Sequence, residues 1–177
     1  MHGRIMLAAA MMALALPAGA QTPSDRYEAR GTVVAEIGGE TMELVVPFDR
    51  ENKTAFAQVT AIMGTSTSVN VVGMSVGENG KPAPPMVQAT FLTSGAGTSV
   101  LSVELFDDGG MDAPAIMSDE FGSVTLDRFN FDGQTLEAEV SGQMQRVAGY
   151  AQGNPAADGA PPVPARIVIS TEVAPAE

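Results

Sequence analysis

The groups in this chain best able to do chemistry are its carboxylates, and their densest grouping is Asp107-Asp108-Gly109-Gly110-Met111-Asp112. Asp107, Asp108 and Asp112, on a backbone loosened by glycine, could wrap a hard cation such as calcium, with Asp119 or Glu120 adding oxygen. The spacing matches no established calcium loop, so a solvated acidic loop is the default expectation. A second grouping, Asn130-Phe131-Asp132-Gly133, invites comparison with an EF-hand. Placing Gly133 at position 6 puts Asp132 at 5, Asn130 at 3 and Glu139 at 12, but Arg128 falls at position 1, where a carboxylate must bind. A hairpin explains more. Asp132-Gly133 is a favoured turn pair. With Phe131 opposite Gln134, Phe129 faces Leu136 and Arg128 faces Glu137, a core contact beside a cross-strand ion pair. Glu139 then lies on the order of 17 Å down the strand, too far to share an ion with the turn.

Two carboxylates can also hydrolyse a glycosidic bond without histidine. The pairs Asp119/Glu120 and Glu137/Glu139 are present, but neighbours on a strand point to opposite faces. The aromatic platform of a sugar groove is also thin here, with no Trp and only Tyr27 and Tyr150. A Ser-Lys dyad would need Lys53 or Lys81, and both stand in polar connections where a lysine is a solvated charge. The methionines after residue 20 (Met42, Met63, Met74, Met86, Met111, Met117, Met144) raise copper(I), yet no Met-x-Met pair occurs and gap-filling in a core suits them better.

What is missing excludes more than these groups propose. The chain has one histidine, His2, and no Cys or Trp. His2 lies in a segment with the layout of a secretory signal: Arg4, then an apolar run from Ile5 to Leu16, then Ala18-Gly19-Ala20 at the cleavage positions. The run is too short to span a membrane, which takes about 20 apolar residues. Cleavage after Ala20 would leave a product with no imidazole and no thiol. Ser-His-Asp and Cys-His catalysis, thiol redox chemistry and the usual zinc and copper sites are then out of reach. It would also have no disulfide despite its oxidising destination, so packing and sheet hydrogen bonds must hold it. Losing Arg4 leaves 8 basic against 21 acidic side chains, a net charge of −13. Such a surface repels phosphate backbones and anionic lipids, so neither nucleic-acid binding nor membrane insertion after cleavage is expected.

The elements that must position these groups read as strands. Residues 21–26 look like a flexible leader, and residues 27–174 form a single β domain of ordinary size. In RGTVVAEIGGETMELVVPF, Gly38-Gly39 separates two β-type runs. Ile37 opposite Glu40 puts Ala35 with Met42 and Val33 with Leu44, a face apolar except for Glu40, and sets Glu36 against Thr41 and Val34 against Glu43 on the other. Segment 54–63 fits a helix or a strand, and its Thr, Val and Ile favour strand. ENGKPAPP (78–85) breaks the pattern. Val87, Ala89 and Phe91, then Leu101, Val103 and Leu105, alternate with polar residues at the strand period. Residues 107–121 read as a long acidic loop, 151–165 as a mobile Pro/Gly/Ala-rich loop, and 166–173 as the last strand.

This amounts to about eight to nine short strands and predicts an all-β fold: an antiparallel β-sandwich, favoured by the irregular strand and loop lengths, with a closed β-barrel as the alternative. The expected function is that of an exported, non-catalytic binding or accessory module in the bacterial periplasm or outside the cell, needing no cofactor and meeting an envelope or extracellular protein through loops 107–121 and 151–165. A carboxylate-based hydrolase acting on glycans and a calcium-stabilised structural domain are the alternatives.

Overall fold

The computed structural model describes residues 22–62, 66–153 and 155–175. The signal segment 1–20 and Met63 lie outside the described residues. The Gly38-Gly39 hairpin forms as its sequence requires. β1 (Tyr27–Ile37) and β2 (Glu40–Asp49) pair with Ile37 opposite Glu40, Ala35 opposite Met42 and Val33 opposite Leu44. Both turn glycines take positive φ, 60° and 91°, which an L side chain resists. Within segment 54–63 the described residues form strand: β3 (Thr54–Ala55) pairs with β2, and β4 (Ala57–Ala61) with β5 (Thr67–Val76). Phe56 is the crossing point between them, donating its N–H to Pro47 O and accepting from Val72 N.

The remaining strands are β6 (Pro82–Ser94), β7 (Gly97–Phe106), β8 (Ala115–Met117), β9 (Ser123–Phe131), β10 (Thr135–Arg146), β11 (Val163–Glu172) and β12 (Ala174–Pro175). Of the two architectures compatible with the sequence, the closed barrel is the one that forms: an antiparallel ring of 8 strands in the order β1-β2-β5-β6-β7-β8-β10-β11, with β11 pairing back onto β1. The irregular segments that favoured a sandwich are patches in the ring. β3 and β4 fill the divergence between β2 and β5, which share the single residue pair Val45–Met74. The close approach at this seam depends on Gly73, where an added Cβ would stand 2.7 Å from Val33 Cβ. β9 lies beside β10, outside the ring.

Three expectations are corrected. The acidic loop 107–121 contains β8, whose three residues are all buried and which joins β7 to β10. The breaker 78–85 ends inside β6, where Pro84 and Pro85 stand in a bulge between the pairs Met74–Met86 and Ser75–Ala83. Proline, having no N–H to give a ladder, is tolerated at such an irregularity. The β9–β10 hairpin forms, but Phe131 faces Leu136 and Phe129 faces Ala138. Asp132 causes this. Its Oδ1 accepts from Gln134 N (2.9 Å) and Thr135 N (2.7 Å), which holds a wider turn than a two-residue one. From Phe131 to Arg128 the slip is of two residues, so these side chains keep their expected faces. A bulge at Asp127 then reverses the phase, and Leu126 and Val124 join Phe129 and Phe131 against the core. Arg128 still meets Glu137 diagonally, at 3.9 Å.

Inward side chains fill the lumen, as expected of a ring this narrow. The alternation expected of Leu101, Val103 and Leu105 is corrected at Leu101: a bulge on β7 between the pairs Thr90–Ser102 and Phe91–Val100 turns Leu101 out to solvent and brings Val100 into the core. Phe91, Leu136, Ile167 and Ile169 are wholly buried, each such burial stabilising by about 1.5–3 kcal/mol. A smaller cluster packs on the outer face of β7 and β8: Phe106, Ile116 and Val147 are buried, and Tyr150 meets Phe106 edge-on at 6.1 Å. The segment expected to be mobile supplies part of this cover. Ala148 N bonds Pro155 O, Ala157 N bonds Arg146 O, and Val147 bridges Ala156. Ser24 and Arg26 of the leader bond to Gly80 O and to Asp49.

Candidate functional site

The lumen ends differently at the two ends of the barrel. At the end marked by the Gly38-Gly39 turn, the inward phase of several strands runs out in ionisable residues. Met42 and Leu44 lead back to Glu40 on β2. Val103 and Leu105 on β7 lead on to Asp107, and Met144 on β10 leads to Arg146. Gly38 N bonds Pro164 O at 2.9 Å, locking this turn to the start of β11, so Ile37 and Val163 stand side by side at the rim.

Between these residues is a mouth in two parts. The outer cleft, about 440 Å³, lies among Glu40, Met42, Pro85, Asp107, Asp108 and Arg146. An adjoining apolar chamber of about 220 Å³, partly open to solvent, is lined by Ile37, Leu105, Ala115, Met144, Ala160, Pro161 and Val163. Arg146 borders both spaces. Its guanidinium grips Asp107 with two bonds, Nη2 to Oδ2 at 2.6 Å and Nη1 to Oδ1 at 2.8 Å, while Nη1 also donates to Ala113 O. Gly109 N donates to Asp107 Oδ1. Burial works to raise the Asp107 pKa, but the Arg146 hydrogen bonds, the Gly109 N–H and the Arg146 charge together outweigh it and hold the carboxyl below its usual value.

A larger cleft, about 560 Å³, lies between the β2–β3 turn and β12, with Phe48, Asn52, Lys53, Gln58 and Pro175 in its walls. Polar groups there are turned to the protein: Asn52 Nδ2 donates to Asp49 and Gln58 Nε2 to Ala55 O. Lys53 and Thr54 are exposed, and Phe48, Ala55, Ala174 and Pro175 supply the apolar part of the wall. Asp49 beside it is a structural acid. Its carboxyl is held at about 2, first by the Arg26 side chain and then by the N–H groups of Asn52 and Glu51 against the opposing effect of burial.

The acids singled out in the sequence are dispersed. Asp107 faces Arg146, Asp108 borders the outer cleft, and Asp112 contributes its carbonyl to Tyr150 N. Among the described residues no group of three or more His, Cys, Asp or Glu side chains is placed to hold a metal ion. Asp119 and Glu120 are exposed in the turn after β8. Glu137 and Glu139 lie on the outer face of β10, near Arg128 and bonded to Arg166 respectively. Lys81 sits exposed before β6. Met117 and Met144 are fully buried, whereas Met74 and Met86 face each other across β5 and β6 on the outer surface.

Sequence reasoning passed over Arg146, Leu105, Met144 and Val163 as a site. The signal was present: a charged residue in phase with an apolar strand face marks a place where the core meets an opening. Glu40 was seen in that position, and Asp107 and Arg146 occupy it on two further strands. No protein-family model matches the chain, and neither the curated proteins nor the solved structures include a match.

Proposed function

We propose that the chain is an exported, non-catalytic β-barrel of the bacterial envelope, acting as a binding module that takes a ligand with an apolar portion at the mouth around Arg146. The observation that carries this reading is the apolar chamber at the end of an otherwise filled lumen, bordered by Arg146, which Asp107 holds in place. Barrel mouths are a preferred place for small-molecule sites, which join an apolar wall to a few placed polar groups. The signal-type segment before Gln21 supports export.

Nile red, a neutral apolar dye, tests the binding. The mature protein is expected to give a saturable fluorescence increase, abolished by Ala160→Phe, which fills the chamber, with the thermal midpoint little changed. No increase with the wild type would reject the reading. N-terminal sequencing of the exported product should begin at Gln21; retention in the cytoplasm would remove the envelope part of it.

A further inference from the structure

The lip of the mouth carries a charge bias that the chamber alone does not explain. Asp107 and Arg146 cancel each other and are held together by two hydrogen bonds. Glu40 and Asp108 border the same cleft, and among the described residues neither enters an ion pair. Among the described residues Arg146 is the one basic residue bordering the outer cleft, and its charge is already paired with Asp107, with Nη1 also given to Ala113 O. A guest that places an apolar chain in the chamber must leave its head group at this lip. An anionic head would find no uncommitted cation there and two uncompensated carboxylates. A cationic head would find both at close quarters, inside a chain whose formal net charge is −12. Clefts lined by one sign of charge concentrate the opposite sign.

We infer that the mouth selects single-chain amphiphiles with a cationic head, an ammonium or guanidinium at the end of a short apolar tail. The inference rests on the binding reading above and adds the ligand's charge class. The tail lies among Ile37, Leu105, Met144 and Val163. The head stays in the outer cleft beside Glu40 and Asp108, where it remains partly hydrated.

Titration calorimetry of the mature protein separates the two ideas. Three probes of equal tail length are used below their micelle concentrations: decyltrimethylammonium, decanol and decanoate. The expected order of affinity is cationic, then neutral, then anionic, with at least threefold between the first and the last. The gap should narrow from low salt to 0.5 M salt, where exposed charges are screened within about 3–5 Å. The paired substitution Glu40→Lys with Asp108→Lys should reverse the order, and a melting curve checks that the variant is folded. Should it not fold, the salt series on the wild type still decides. Equal binding of all three probes, tighter binding of decanoate, or an order indifferent to salt would overturn the charge inference and leave the binding site standing. Binding of none would overturn both.

Discussion

The two ends of this barrel obey one alternation and finish it in opposite ways. At the far end the inward phase closes on large apolar groups: Phe91 and Leu136 are fully buried, and Phe91 leans on Phe129 with ring centroids 5.2 Å apart. Thr171, also buried, satisfies its hydroxyl on backbone carbonyls of Arg30 and Glu172. At the mouth the same phase ends in Glu40, Asp107 and Arg146, and the lumen stays open above Met144. A closed end stabilises; an end finished in charge cannot be sealed by packing and is left available to a guest. The contrast lies in β2, β7 and β10, whose inward phase runs out in Glu40, Asp107 and Arg146 at the mouth.

Substituting on both sides is the strongest way to break that contrast. Phe91→Ala should cost about 3–5 kcal/mol in urea unfolding, because it empties a fully packed site. Met42→Ala at the half-buried mouth should cost only about 1 kcal/mol. Equal losses would mean that the mouth is as much a part of the stabilising core as the far end. A smaller effect is expected from Arg146→Met, which leaves Asp107 without its partner. Both side chains keep roughly a third of their exposure, so the loss is about 1–2 kcal/mol, less than a deeply buried pair would show. Acid sharpens the comparison further. The Asp49 pKa is depressed in the fold, so its contribution is complete above the ordinary carboxylate value of about 3.9 and is lost as the pH falls through about 2. Melting curves from pH 5 to pH 2 should therefore fall more steeply for the wild type than for Asp49→Asn. Parallel slopes would show that the Arg26–Asp49 clasp near the far end adds nothing.

Much of this was legible residue by residue. Gly38-Gly39 fixed a turn and a complete register, because a slip of one would have turned Val33, Ala35 and Leu44 to water. The strand at 57–61 followed from its β-branched residues. What stayed hidden depended on distant partners. Ala115-Ile116-Met117 is too short to show a period, and it is a strand only because β7 and β10 offer it edges. The choice of barrel over sandwich turned on that same short segment and on the β2–β5 junction. The wide turn at Asp132 was missed because its side chain competes for the very N–H groups that a tighter hairpin would leave to the backbone. Arg146 went unremarked because a lone cation at a strand end looks like surface until its phase is counted.

The meeting of β2 and β5 carries a last consequence. Every other joint of the ring is laced along two or more residue pairs, whereas this one is fastened at Val45 and Met74. Such a joint acts as a latch. To open there, the ring must also release the span made by β3, Phe56 and β4 and the pairing of β12 with β4, all of them short. Amide hydrogens beside the latch would trade with solvent before those of the ten-pair β10–β11 ladder.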